Sequence, residues 1–125
     1  MRRAPALLAS AVAACAGPAA TDDPLAGRIA GEPVSCIGIG TGVAPVAYDR
    51  DTILVRDGRR LWRTGPTGAC PALGRAPVTL IIDVQGAQLC RNDRFQVLEI
   101  GSSIPSAPCF FDRFTPYDAP RGRTG

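Results

Sequence analysis

Five cysteines and no histidine define the chemistry open to this 125-residue chain. Without imidazole there is no Ser-His-Asp or Cys-His triad, no HExxH zinc site and no side chain that exchanges protons near neutrality at its ordinary pKa. Catalysis would fall to carboxylates, tyrosine or a thiol, and no catalytic residue is assigned. Between Cys36, Cys70, Cys90 and Cys109 lie 33, 19 and 18 residues. Zinc ligands usually come in pairs about two to four residues apart, so these four read as half-cystines, with no metal and no cofactor expected. Four half-cystines allow three pairings and the sequence does not choose. The preferred arrangement joins Cys70 to Cys90 and Cys36 to Cys109, one bridge tying a Pro/Gly-rich loop to a central hairpin and the other clamping the first strand to the last.

Cys15 stands apart. Arg2 and Arg3 precede a run from Ala4 to Ala14 without a charge, the n-region and h-region of a secretory signal. That run is shorter than the roughly 20 residues a membrane-spanning helix needs. Val12-Ala13-Ala14-Cys15 resembles the bacterial lipobox, in which the cysteine is acylated and becomes the mature N-terminus. The expectation is a signal over residues 1–15, lipidation at Cys15 and a membrane partner through that lipid; the alternative is cleavage after Ala16 or Ala20 to give a soluble periplasmic protein. An odd thiol is awkward where disulfides form, so a separate fate for Cys15 leaves four that can pair. Ala16 after the cysteine favours the outer membrane over the inner by the rule for enteric bacteria.

Other local patterns carry less. Gly38-Ile-Gly-Thr-Gly42 looks like part of a phosphate loop, but Pro45 and a strand-like stretch follow where a helix N-terminus would be needed, so a turn is expected. Ile81-Ile82-Asp83 is similar to the opening of an aspartic-protease motif but lacks the hydroxyl residue and glycine that follow there; Asp83 reads as a solvent-facing strand end. Cys90 to Asp93 reads as a half-cystine with a turn-supporting aspartate. Arg59, Arg60, Trp62 and Arg63 place an aromatic among cations and are the candidate binding group, for a sugar, an anionic headgroup or a protein. The favoured reading of those four is a core tryptophan beside a solvated, aggregation-resistant edge.

These residues need elements to hold them. Residues 16–24, all small or polar apart from the two prolines, read as a tether. Residues 25–117 form the domain, and residues 118–125 a disordered tail in a proline- and glycine-rich stretch that begins at Pro116. Inside the domain, short Val/Ile-rich runs bounded by Gly, Pro and Asp predict strands. Asp57-Gly58 between residues 52–56 and 59–63 predicts a two-residue hairpin pairing Leu54 with Leu61 and Ile53 with Trp62, with apolar side chains on both faces. A second hairpin is expected from Val78 to Cys90, turning near Gln85-Gly86. Further strands are expected at residues 94–100, 33–37, 43–47 and 109–114, and a helical turn at residues 25–30. The fold class is mainly β, a small antiparallel barrel or sandwich with disulfides. Removing Arg2 and Arg3 leaves twelve arginines against eleven acids, a balance that argues against nucleic acid as a partner.

Gly31-x-Pro-Val-Ser-Cys36, Asp57-Gly58 with Trp62, Gly68-x-Cys70-Pro-x-Leu73, Leu89-Cys90-x-x-Asp93 and Cys109 with Phe114-x-Pro-Tyr117 resemble a group of small proteobacterial exported proteins catalogued as a domain of unknown function. The resemblance implies an exported, cysteine-bearing domain and carries over no activity or site residue. The sequence thus points to a non-enzymatic envelope binding or structural module, with an envelope protein as a possible partner and no oligomeric state indicated. The alternatives are a periplasmic hydrolase inhibitor that inserts a rigid loop at residues 65–71, in the manner of a lysozyme inhibitor, and a soluble carboxylate-based enzyme.

Overall fold

The computed structural model describes residues 23–75, 77–84 and 86–120. The signal, Cys15, the tether through residue 22, Gln85 and residues 121–125 lie outside the described residues. In chain order the strands are β1 (Ile29–Ala30), β2 (Cys36–Gly38), β3 (Val43–Asp49), β4 (Thr52–Asp57), β5 (Arg60–Thr64), β6 (Val78–Ile82), β7 (Gln88–Cys90), β8 (Arg94–Glu99), β9 (Cys109–Phe110) and β10 (Thr115–Asp118). A 3-10 turn spans Pro71–Gly74. The paired strands are antiparallel throughout and form a five-stranded sheet, β1-β10-β5-β4-β3, a three-stranded sheet, β6-β8-β9, and a two-stranded ribbon, β2-β7. The expected mainly-β, disulfide-bearing domain is what the chain forms.

Alternation along each strand sends one set of side chains to the shared core. Ile53, Val55 and Trp62 enter it from the five-stranded sheet, Phe95 and Val97 from the three-stranded sheet, Ile37 and Leu89 from the ribbon, and Leu73 from the 3-10 turn. Phe111 and Phe114 fill the middle with no exposed surface. The rings of Phe95 and Phe111 lie 4.5 Å apart and those of Phe111 and Phe114 5.9 Å apart, within the range where tilted aromatic pairs attract. The Phe111 backbone is held on both sides, donating to the Asp93 carbonyl at 3.0 Å and accepting from Asn92 N–H at 2.8 Å.

The Asp57-Gly58 hairpin forms, one residue further along the chain than its strongest sequence signal. Asp57 pairs with Arg60 and Val55 with Trp62, so Gly58 and Arg59 make the turn. Gly58 has φ +63°, which suits the first central position of a type II′ turn. Moving the turn by one residue moves each partner by two, and a two-residue slip keeps every side chain on its own face. Ile53 and Trp62 still share the inner face, and Leu54 and Leu61 the outer.

The second expected hairpin does not form. β6 pairs with β8, Leu80 facing Val97, while β7 leaves that sheet to pair with β2. The preferred disulfides fall with it. The ribbon sets Cys36 directly opposite Cys90, and these two are bonded, leaving Cys70 bonded to Cys109. β9 runs beside the Cys70 loop, where Thr67 N–H donates to the Phe110 carbonyl and Pro66 bridges Phe111. On the chain-entropy view, closing 54 and 39 residues stabilises the fold by about 4 kcal/mol per bridge.

The ends also differ from expectation. Residues 116–118 are strand, with β10 lying between β1 and β5. Residues 25–30 make no helix. Ala26 N–H donates to the Asp23 carbonyl and Arg28 N–H to that of Leu25, two successive turns that lead into β1. Asp23 Oδ1 accepts Leu25 N–H at 2.9 Å, so Asp23 and Pro24 belong to the domain.

Candidate functional site

The four predicted binding residues do not form one group. Trp62 is a core residue, 9% exposed, and its indole N–H donates to Asp57 Oδ2 at 3.3 Å. Arg60 lies on the same face, its guanidinium 5.1 Å from the Trp62 ring centre and doubly hydrogen-bonded to Asp118 at 2.7 and 3.0 Å. That fork holds the Asp118 carboxyl below its ordinary range and raises the pKa of Arg60 in return. Arg60 is therefore occupied in tying β5 to β10. Arg59 sits in the turn, its carbonyl accepting from Arg28 at 2.7 Å. Arg63 points to the opposite side of the sheet from Trp62, because it is the next residue along a strand.

Arg63 belongs instead to a groove on the outer face. The register places Val46, Leu54 and Arg63 in one cross-strand row and Ala44, Arg56 and Leu61 in the next. Leu54 and Leu61 form a buried floor, while Arg56 and Arg63 are exposed. Tyr48 is the extra residue of a β-bulge between Ala47 and Asp49, a device that re-aims a side chain, and it lines both halves of the groove. One half, about 450 Å³, is bounded by Asp23, Pro24, Leu25, Tyr48, Leu54 and Arg63. The other, about 200 Å³, lies between Pro24, Tyr48, Arg56 and the floor. Arg28 fixes the Pro24 wall in place, donating from Nε to the Pro24 carbonyl and from Nη1 to those of Arg59 and Tyr117.

A larger cleft of about 710 Å³ separates β3 from the 3-10 turn and the start of β6, with Asp49, Arg50 and Asp51 on its rim. Its two carboxylates serve the turn that carries them. Asp49 Oδ1 accepts Asp51 N–H at 2.9 Å, and Asp51 lies 3.5 Å from Arg50 Nε. Among the described residues no three His, Cys, Asp or Glu side chains are grouped to hold a metal ion. Asp83 pairs with Arg94 at a strand end, and Asp93 Oδ2 accepts Cys90 N–H at 2.7 Å in the turn after β7. The Gly38 to Gly42 segment turns into β3, Val43 N–H donating to the Gly40 carbonyl.

Three residues of this surface differ in how far the sequence marks them. Tyr48 had a signal: Ala44, Val46 and Tyr48 continue the strand alternation one place beyond the expected end at Ala47. The sequence marks Arg56 only as a hairpin residue. Arg28 had none, since its partners are carbonyls distant in sequence. No protein-family model matches the chain, and no curated protein or solved structure matches it.

Proposed function

We propose that this chain is an exported bacterial lipoprotein held in the membrane by Cys15, outer membrane before inner, with its β domain facing the periplasm as a non-enzymatic binding module. The likeness to small exported proteobacterial proteins supports export, and two disulfides suit an oxidising compartment. The observation that carries binding is the groove itself, an apolar floor of Leu54 and Leu61 flanked by Arg56 and Arg63 and edged by Tyr48. That combination suits a ligand with an anionic end and an apolar body. Dodecyl phosphate below its micelle concentration should shift the amide resonances of Val46, Tyr48, Leu54 and Arg63, and an uncharged dodecyl glycoside should not. Equal shifts with both, or shifts elsewhere only, refute the groove. The anchor is tested by itself: Cys15→Ala should release the protein from membranes, and a variant that still fractionates with them refutes lipidation.

A second reading is favoured by one observation. The loop at residues 65–71 is braced by the Pro66–Phe111 bridge, the Thr67 hydrogen bond and the Cys70–Cys109 disulfide, while Thr67, Gly68 and Ala69 stay exposed. A braced loop with exposed residues at its tip is what a cleft-inserting hydrolase inhibitor uses. Purified protein that leaves lysozyme and other envelope hydrolases uninhibited at micromolar concentration removes this reading.

A further inference from the structure

We infer that the groove face of the five-stranded sheet lies against the anionic phospholipid headgroups of the membrane that holds Cys15. This rests on the lipid-anchored reading above and names the ligand of the same groove. The first argument is reach. The eight residue steps from Cys15 to Asp23 span at most about 27 Å fully extended, and Asp23, Pro24 and Leu25 form the groove's own wall. The anchor therefore joins the domain at the rim of this face, and the opposite side of the core carries the three-stranded sheet.

Charge is the second argument. Exposed arginines elsewhere are matched: Arg75 with Glu99, Arg91 with Asp112 and Arg94 with Asp83, each within 4.0 Å. Arg56 and Arg63 on the groove face, and Arg59 in the adjoining turn, have no ion pair among the described residues; nor does Arg113, two residues before the Thr115 that pairs with Arg63. The single acid in the groove wall, Asp23, is engaged with Leu25 N–H. Between the arginines stand Val46, 58% exposed, and Tyr48, 48% exposed. Aromatic and aliphatic side chains among cations suit the boundary between headgroups and acyl chains.

The test uses the mature chain from residue 15 with Cys15→Ser, so that no acyl chain contributes. It should sediment with phosphatidylcholine vesicles containing phosphatidylglycerol, less so as salt is raised, and not with phosphatidylcholine alone. Arg56→Ser with Arg63→Ser should weaken that partition about thirty-fold, on roughly 1 kcal/mol per arginine at an anionic surface. Arg75→Ser with Arg94→Ser makes the same change in net charge on the side of the three-stranded sheet, away from the groove, and should weaken it far less. Partition that is absent, equal on both vesicles, or equally weakened in the two double variants overturns the inference. Dodecyl phosphate binding in the groove without vesicle binding would leave the proposed function standing and this inference refuted.

Discussion

Replacing the two disulfides separately should produce unequal losses, in an order fixed by burial. The Cys36–Cys90 bridge closes 54 residues and Cys70–Cys109 closes 39. The logarithmic dependence on loop length makes their entropic contributions nearly equal, about 4 kcal/mol each. Their surroundings differ. Cys70 and Cys109 are 5% and 8% exposed and Cys70 packs in the core, whereas Cys36 is exposed on the ribbon. Removing two buried sulfurs adds about 1–2 kcal/mol, on the scale of a buried methylene each. Cys36→Ala with Cys90→Ala should thus lower the melting temperature by roughly 20 °C, given an unfolding entropy near 0.2 kcal/mol/K for about 100 residues. Cys70→Ala with Cys109→Ala should lower it further. Circular dichroism reads both, and dithiothreitol followed by alkylation should open Cys36–Cys90 first. The connectivity is directly readable because arginines isolate each cysteine on its own tryptic peptide. Unreduced digests should join residues 29–50 to 76–91 and residues 64–75 to 95–113. A peptide joining 64–75 to 76–91, or a less stable Cys36/Cys90 variant, refutes the reasoning.

Phe111→Ala, which empties a fully enclosed site between Phe95 and Phe114, should cost about 3–5 kcal/mol in denaturant unfolding. A cost below 1 kcal/mol would contradict the packing. Gly65→Ala would press a methyl group onto the Asp51 carbonyl and should cost about 1–3 kcal/mol or more; an unchanged midpoint refutes that contact. Asp118, whose carboxyl is held low by the Arg60 hydrogen bonds, should titrate below the usual aspartate range by carbon NMR and return to it in Arg60→Gln. Because its folded value is depressed, the pair stabilises the fold above the unfolded aspartate pKa and stops doing so as pH falls through the folded one.

Strand positions were legible because local chemistry decides them: Val/Ile runs between glycines and aspartates give β4, β5, β6 and β8 nearly where expected. Pairing was not, because it is a contest between partners that local sequence does not describe. β6 and β7 are separated by a plausible turn, yet Leu89 finds its enclosed place against Ile37 of β2 rather than against β6. The disulfides follow pairing, so the expected connectivity fails with it. The hairpin at Gly58 shows the same limit in milder form, since both registers keep the apolar faces intact. Trp62 as core follows from its size and spacing. The groove needed three strands, a bulge and the Arg28 latch, and only Arg63 of its members stood in the predicted binding group.

The position of β10 has a kinetic consequence. It fills the gap between β1 and β5, and β1 hydrogen-bonds within that sheet to β10 alone. A chain emerging from its N-terminus has nowhere to dock β1 until residues 115–118 follow, some 85 residues later. Such non-local pairing is slow because loop closure must precede its reward. The two ends of the domain therefore commit together and late, and a growing chain short of Thr115 remains open along the β5 edge of its largest sheet.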